Sequence, residues 1–94
     1  MFDINKGHNG EILLSGRFDA SHVDRVRAEL QTLTTSCTVD FSNLDYISSA
    51  GMGILLGTQK RLSGAGHSLK LVNLNGHIRE IFRIAGFDNV FSIE

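Results

Sequence analysis

Apolar residues recur along this chain with two different periods, and the switches between those periods mark out its elements. Phe2 and Ile4 alternate with polar positions before Lys6, which reads as a short strand. Gly7-His8-Asn9-Gly10 reads as a hairpin turn, because Asn and Gly tolerate the left-handed backbone angles of a tight reversal. Glu11 to Gly16 is the second strand. Spacings of three and four then take over. Val23, Val26, Leu30 and Leu33 form one stripe of an amphipathic helix, with Asp24, Arg25, Glu29 and Gln31 toward water. Asp19 or Ser21 can cap it, and Ser21 with Asp24 resembles a capping box with the shorter acid.

The second half continues the alternation. Ser36 to Phe41 is β-prone, with Cys37, Val39 and Phe41 on one face of a central strand. Ser42 to Ser49 reads as an inward-turned loop carrying Leu44 and Ile47. A helix from about Ala50 to about Ser63 follows, with Met52, Leu55, Leu56, Gln59 and Leu62 inward. Gly64-Ala65-Gly66 ends it, since glycine enters the left-handed cap cheaply. Ser68 to Leu74 is a further strand. Asn75 can cap a third helix with Ile78, Ile81, Phe82 and Ala85 inward and Gly86 at its close. Asn89 to Ile93 is a last short strand. The order β-β-α-β-α-β-α-β predicts an α/β domain over residues 1–94 with a single mixed sheet. A short antiparallel hairpin forms its N-terminal edge, and right-handed crossovers make the rest parallel. The amphipathic helices lie mainly on one face; Lys6, Asp40 and Lys70 are expected on the other.

Composition removes several function classes. Ninety-four residues suit one domain and are too few for a barrel enzyme or a full dinucleotide-binding domain. Nine Lys+Arg against ten Asp+Glu give a net charge of -1, without the basic surplus of a nucleic-acid binder. No apolar run approaches the roughly 18 residues of a membrane span, and no basic-then-apolar leader opens the chain. Direct membrane insertion is therefore not expected. The single cysteine, Cys37, cannot form an intrachain disulfide and suits a reducing, cytoplasmic setting. His8, His22, His67 and His77 include no pair at metal-ligand spacing. No nucleophile elbow or phosphate loop is present. Gly51, Gly53 and Gly57 only loosely echo a dinucleotide turn, and Val72-Asn73 stand where its acidic residue would be. The chain is expected to be no enzyme and to need neither metal nor cofactor.

One segment carries chemical content: Asp45-Tyr46-Ile47-Ser48-Ser49-Ala50-Gly51-Met52-Gly53-Ile54-Leu55-Leu56-Gly57. Two hydroxyls sit where the chain enters a helix, and Ala50, Gly51 and Gly53 leave its first turn almost bare. The first amides of a helix have no intrahelical acceptor and favour an anion. Serine is also a preferred helix cap, so Ser48 or Ser49 can serve as a plain cap. One serine suffices for that, and two are adjacent. Met52 and Ile54 are candidates for an apolar contact with a partner.

These residues, in this order, resemble the STAS domain, shared by sulfate transporters and anti-sigma-factor antagonists, and in particular the small stand-alone antagonists. The matching stretches are LSGRFDA (14–20), VDFSNLDYISSAGMGILL (39–56), GHSLKLVNL (66–74) and IREIFRIAGFDNVFSI (78–93). The resemblance implies that Ser49, two residues before the first glycine of Gly51-Met52-Gly53, is phosphorylated by an anti-sigma factor that is itself a serine kinase. Many members have aspartate where this chain has Ser48, and serine where it has Ala50. It further implies that Asp19 contacts the kinase, together with Ser48, Ser49, Ala50, Gly51, Met52 and Gly53, and that Asp45 braces the loop. The implied mechanism is partner switching: the unmodified form binds the anti-sigma kinase and frees its sigma factor, phosphate turns binding off, and a protein phosphatase resets the switch. A different role for the same fold is a non-phosphorylated adaptor, as subunit of a lipid-transport ATPase or of a signalling assembly.

Overall fold

The hairpin at the chain start forms because its turn is built from residues that reverse without strain. In the computed structural model, which describes residues 1–94, β1 (Phe2–Lys6) and β2 (Ile12–Phe18) pair antiparallel, with Ile4 opposite Leu14. The Gly7 amide donates to the Glu11 carbonyl at 2.8 Å, and Gly10 takes φ 79°, a conformation glycine enters without a Cβ penalty. β3 (Cys37–Ile47), β4 (Leu69–Val72) and β5 (Ser92–Ile93) then add in parallel, so the strands lie in the spatial order β1-β2-β3-β4-β5. Between them run α1 (Val23–Leu30), α2 (Ser49–Gly64) and α3 (Gly76–Ile84), with 3₁₀ turns at Ala20–His22 and Phe87–Asn89. The element order and the mixed sheet are those read from the periodicity.

The core lies between the sheet and the helices. Phe18, Val39, Phe41 and Leu71 meet Val26, Leu55, Ile78 and Phe82, all fully buried. Phe82 packs edge-on against Phe41 with ring centroids 6.1 Å apart, an arrangement favoured by the aromatic quadrupoles. Two polar side chains are buried with the core: Thr58, whose hydroxyl donates to the Ile54 carbonyl at 3.0 Å, and Gln59, whose Oε1 accepts the buried Leu69 amide at 2.7 Å and ties α2 to the first residue of β4. Arg61 donates to the carbonyls of Leu30 and Leu33 at 2.9 and 2.8 Å, closing the end of α1 against α2. The opposite face of the sheet is open, and there the Arg17 guanidinium stacks 4.2 Å above the Tyr46 ring.

Several boundaries differ from the sequence reading. Residues 42–47 are strand, the continuation of β3, and not a loop. Pairing with β2 persists to Phe18 opposite Ile47 by way of two register shifts, at one of which Asp40 Oδ1 accepts the Ser42 amide at 2.8 Å. β4 and β5 are shorter than read. α1 stops at Leu30, leaving Leu33 beyond it, half-buried. The expected Ser21–Asp24 capping box does not form, because Asp24 pairs with Arg27 and Asp19 takes the capping role one turn earlier. Ala85 lies past the end of α3 and is exposed, whereas Thr58 is buried on α2. Lys6 shares the helix-side face with Phe2 and Ile4 and simply runs past the margin of the core into solvent. Asp40 and Lys70 do lie on the open face.

Candidate functional site

Parallel strands end on the same rim of a sheet, and β2 and β3 do so in register. The Ser48 amide donates to the Phe18 carbonyl at 2.9 Å, so the chain leaves β2 at Asp19 beside the point where it enters α2 at Ser48. Two segments thirty residues apart in sequence thereby form one rim.

Which serine caps α2 follows from backbone geometry. Ser48 is extended (φ −81°, ψ 166°), its hydroxyl oxygen accepts the Gly51 amide at 3.1 Å, and its carbonyl accepts the Met52 amide at 3.0 Å. It is the N-cap. Ser49 is thereby the first helical residue, exposed, with a hydroxyl that the cap does not use. Ala50 beside it is exposed too. The helix dipole and the unbonded first amides favour added negative oxygen at this end.

The glycines of the segment divide into two kinds. Gly51 is buried, and a Cβ there would lie 3.0 Å from Ile47 Cγ1 and 3.2 Å from the Phe18 ring. It lets the helix start seat on the ends of β2 and β3. Gly53 is exposed, and a Cβ there would meet nothing within 4 Å. Met52 and Ile54 are half-buried against the core margin, so neither stands out as a free apolar knob.

Asp19 caps the 3₁₀ turn. Its Oδ1 accepts from the Ser21 amide at 3.0 Å and the Ser21 hydroxyl at 2.5 Å, and lies 3.6 Å from His22 Nε2. Hydrogen bonds from Ser21, aided by the nearby His22 and Arg17, hold the carboxyl below the usual aspartate range. Asp45 does not brace the segment: it is exposed on β3 and makes no side-chain hydrogen bond or ion pair. That tie comes instead from Asn75, whose Nδ2 donates to the Leu44 carbonyl at 3.2 Å while its Oδ1 caps α3 at Ile78. The structure thus brings Asp19, Ser48, Ser49, Ala50 and Gly51 to one rim. It adds Phe18 and His22, which the sequence reading left out; the Asp19–His22 spacing of three was the available signal for the second.

Elsewhere the chemistry is quieter. No group of three or more His, Cys, Asp or Glu side chains comes together as a metal site. Cys37 is half-buried at the far end of the sheet, where burial pushes its thiol up. No helix is long and apolar enough to cross a membrane.

Comparison with known proteins agrees with this fold. A family model described as Mlab, STAS domain, matches residues 3–93. The chain belongs to the STAS domain family. As a STAS domain it is 33% identical over 84 residues to BtrV, a candidate anti-sigma factor antagonist of Bordetella bronchiseptica, covering 85% of this chain and 72% of BtrV. It is 26% identical over 95 aligned positions to an anti-sigma-B factor antagonist of Bacillus subtilis, covering 97% and 87% of the two chains. In fold it matches a crystal structure of a candidate anti-sigma factor antagonist from Thermotoga maritima with a TM-score of 0.80 at 16% identity, covering 99% and 85%. It matches the phosphorylated form of the Bacillus cell fate determinant SpoIIAA with a TM-score of 0.72 at 21% identity, covering 100% and 91%.

Proposed function

We propose that this STAS domain is an anti-sigma-factor antagonist that works by partner switching in the cytoplasm. In its unmodified form it binds an anti-sigma factor with serine-kinase activity and so frees a sigma factor. The kinase transfers phosphate to Ser49, binding ends, and a protein phosphatase restores the starting state. The observation that carries this reading is the division of labour between the two serines. Ser48 spends its hydroxyl on the Gly51 amide, and the exposed Ser49 hydroxyl stands free at the mouth of the helix. The relatives named as anti-sigma factor antagonists support the same reading.

Phosphate adds about -1.5 to -2 charges at neutral pH. The helix start accommodates that charge locally, so the domain keeps its fold. The partner surface does not, because a dianion there meets like charge and a desolvation cost in a close-fitting contact. Asp19 supplies a second contact from the neighbouring loop, and the exposed Ala50 and Gly53 let the kinase approach the helix backbone, while buried Gly51 seats the helix start and half-buried Met52 lines its edge.

The test is incubation with the cognate anti-sigma kinase, recovered from the native cell with a Ser49→Ala bait, and ATP. Label at Ser49 that is absent in Ser49→Ala supports the antagonist. A second reading is a non-phosphorylated adaptor, as subunit of a lipid-transport ATPase or of a signalling assembly. Its signature is no label and stable co-purification with a transporter ATPase.

A further inference from the structure

A cleft of about 230 Å³ lies between α1 and α2 on the helix side of the domain. Glycine makes room for it. Gly53 and Gly57 are exposed, four residues apart on α2, and a Cβ at either would meet nothing within 4 Å. Half-buried Ile54 and buried Thr58 line the base, while exposed Arg27 of α1 and Arg61 of α2 line the margins. Ser49 precedes Gly53 by four residues, so the bare stripe begins at the free hydroxyl and runs along the helix away from it.

The cleft is basic. From Ser49 to Gly64 the helix carries Lys60 and Arg61 and no acidic residue. Arg61 donates to the Leu30 and Leu33 carbonyls, neutral acceptors that hold the guanidinium in place and leave its charge unanswered. Arg27 pairs with Asp24 at 2.7 Å, but the Asp24 side chain is 95% exposed, and a pair so open to water binds its members weakly. Arg27 can therefore turn from Asp24 to an incoming carboxylate at little cost. Glu29 lies two residues from Arg27 and so on another side of α1.

We propose that this cleft seats an acidic segment of the anti-sigma kinase, which lies against the bare Gly53–Gly57 backbone and offers a carboxylate to Arg27. This rests on the kinase as partner and on Ser49 as its substrate. Charge argues against a second copy of this chain as occupant. A two-fold self-contact sets a patch against itself, and here it would bring the arginines of both copies together. Continuity argues for the kinase, because the stripe starts at the serine that the kinase must reach. An acidic segment in the cleft is also a source of the like charge that phosphate on Ser49 would meet. Complementary charge of this kind fixes the register of a contact and speeds its formation, while the missing side chains at Gly53 and Gly57 allow close approach.

The experiment takes the kinase recovered with the Ser49→Ala bait and measures its binding, without ATP, to the wild type, Gly57→Leu, Arg27→Gln and Asp24→Asn. Thermal denaturation checks that each variant is folded. Gly57→Leu fills the cleft from an exposed helical position and should remove most of the binding. Arg27→Gln should weaken binding about two- to fivefold, the range of an exposed ion pair. Asp24→Asn frees Arg27 and should strengthen binding by up to about the same factor; a merely structural Asp24–Arg27 pair predicts no such gain. Amide shifts on adding the kinase should appear at residues 27, 31, 53 and 57 as well as at the Ser49 rim. Wild-type affinity in Gly57→Leu, or shifts confined to residues 18–22 and 48–50, would overturn the inference and leave the antagonist reading standing, provided that Ser49 is labelled. No change in either charge variant would sink the acidic occupant. A wild-type dimer in sedimentation that Gly57→Leu dissolves would give the cleft to a second copy instead. Absence of label on Ser49 removes both readings together.

Discussion

The Ser48 amide bonds the Phe18 carbonyl at 2.9 Å, and the Ser48 hydroxyl accepts the Gly51 amide at 3.1 Å. One residue thus welds the end of β2 to the start of α2 with its backbone and caps the helix with its side chain. Its neighbour Ser49 does neither. Ser48→Ala should cost about 1 kcal/mol of stability, whereas Ser49→Ala should stay within about 0.5 kcal/mol of the wild type. Urea denaturation of the two variants checks this; equal losses would contradict the assignment of the cap.

Gly51 and Gly53 are two residues apart and respond in opposite directions. A methyl group at Gly51 presses on Ile47 and the Phe18 ring, 3.0 and 3.2 Å away, both held in the core. The overpacking cost of about 1–3 kcal/mol should outweigh the helix-propensity gain of up to about 1 kcal/mol and leave Gly51→Ala destabilised by about 0.5–2 kcal/mol. At Gly53 the methyl group meets open space, and helix propensity alone predicts a gain of up to about 1 kcal/mol. Thermal denaturation reads both signs. Because Gly53→Ala leaves the fold intact, any loss of kinase binding in that variant reports on the interface directly.

The sequence disclosed those features whose causes are local. The Gly7–Gly10 turn, the Asn75 cap of α3 and the left-handed Gly66 and Gly86 each follow from the chemistry of one or two residues. The length of β3 was hidden because Ser42 and Asn43, both exposed, fall together between buried Phe41 and Leu44. A register shift of this kind breaks the two-residue period, so the segment looked like a loop. α1 was over-extended because Leu33 continues its stripe. The helix unwinds there as the Thr32 hydroxyl turns back onto the Glu29 carbonyl at 2.8 Å. At the rim, the adjacent serines were legible as a pair, but their division of labour needed backbone angles.

Gln59 is a polar side chain among apolar neighbours, and its removal should be felt. Gln59→Leu keeps a similar volume while leaving the Leu69 amide, now bonded at 2.7 Å, without its acceptor inside the core. The expected cost is about 1–3 kcal/mol. Hydrogen exchange at Leu69 should accelerate more than at other β4 amides; an unchanged rate would show that another acceptor takes over.

Acid should destabilise the domain in a defined window. Asn5 and Arg25 lower Asp3, Ser21 lowers Asp19, and Arg83 lowers Glu80. At Asp40, partial burial pushes upward, but hydrogen bonds from the Ser42 amide and Asn73 outweigh it, and the net direction is down. A carboxylate whose folded pKa lies below its unfolded value contributes stability above the unfolded value and loses it as pH falls through the folded one. These groups therefore contribute fully from about pH 5 upward, and the loss begins near pH 4 and deepens below it. Urea midpoints from pH 2.5 to 7 should show that acid limb. Asp3→Asn, which removes the charge facing Arg25, should lower the plateau and make the limb shallower. A limb of unchanged depth would mean that Asp3 takes no part in it.

Phosphate on Ser49 should leave the fold alone and end the partnership. The first helical amides lie beside the added oxygens, and the dipole favours their charge at this end. Amide shifts between the unmodified and phosphorylated forms should therefore concentrate at residues 48–53 and at the neighbouring 18–22. Changes spread across β1, β4 and β5 would instead indicate refolding. Salt then separates the two causes of release. Like-charge repulsion at an accessible rim is screened, with a Debye length of about 10 Å at 0.1 M and about 3 Å at 1 M. Desolvation of a dianion in a close contact is not screened in that way. Measured against the anti-sigma kinase, the affinity gap between the two forms should narrow as salt is raised but should not close. A gap that vanished would leave repulsion as the whole mechanism, and a gap indifferent to salt would exclude repulsion and leave desolvation or steric mismatch.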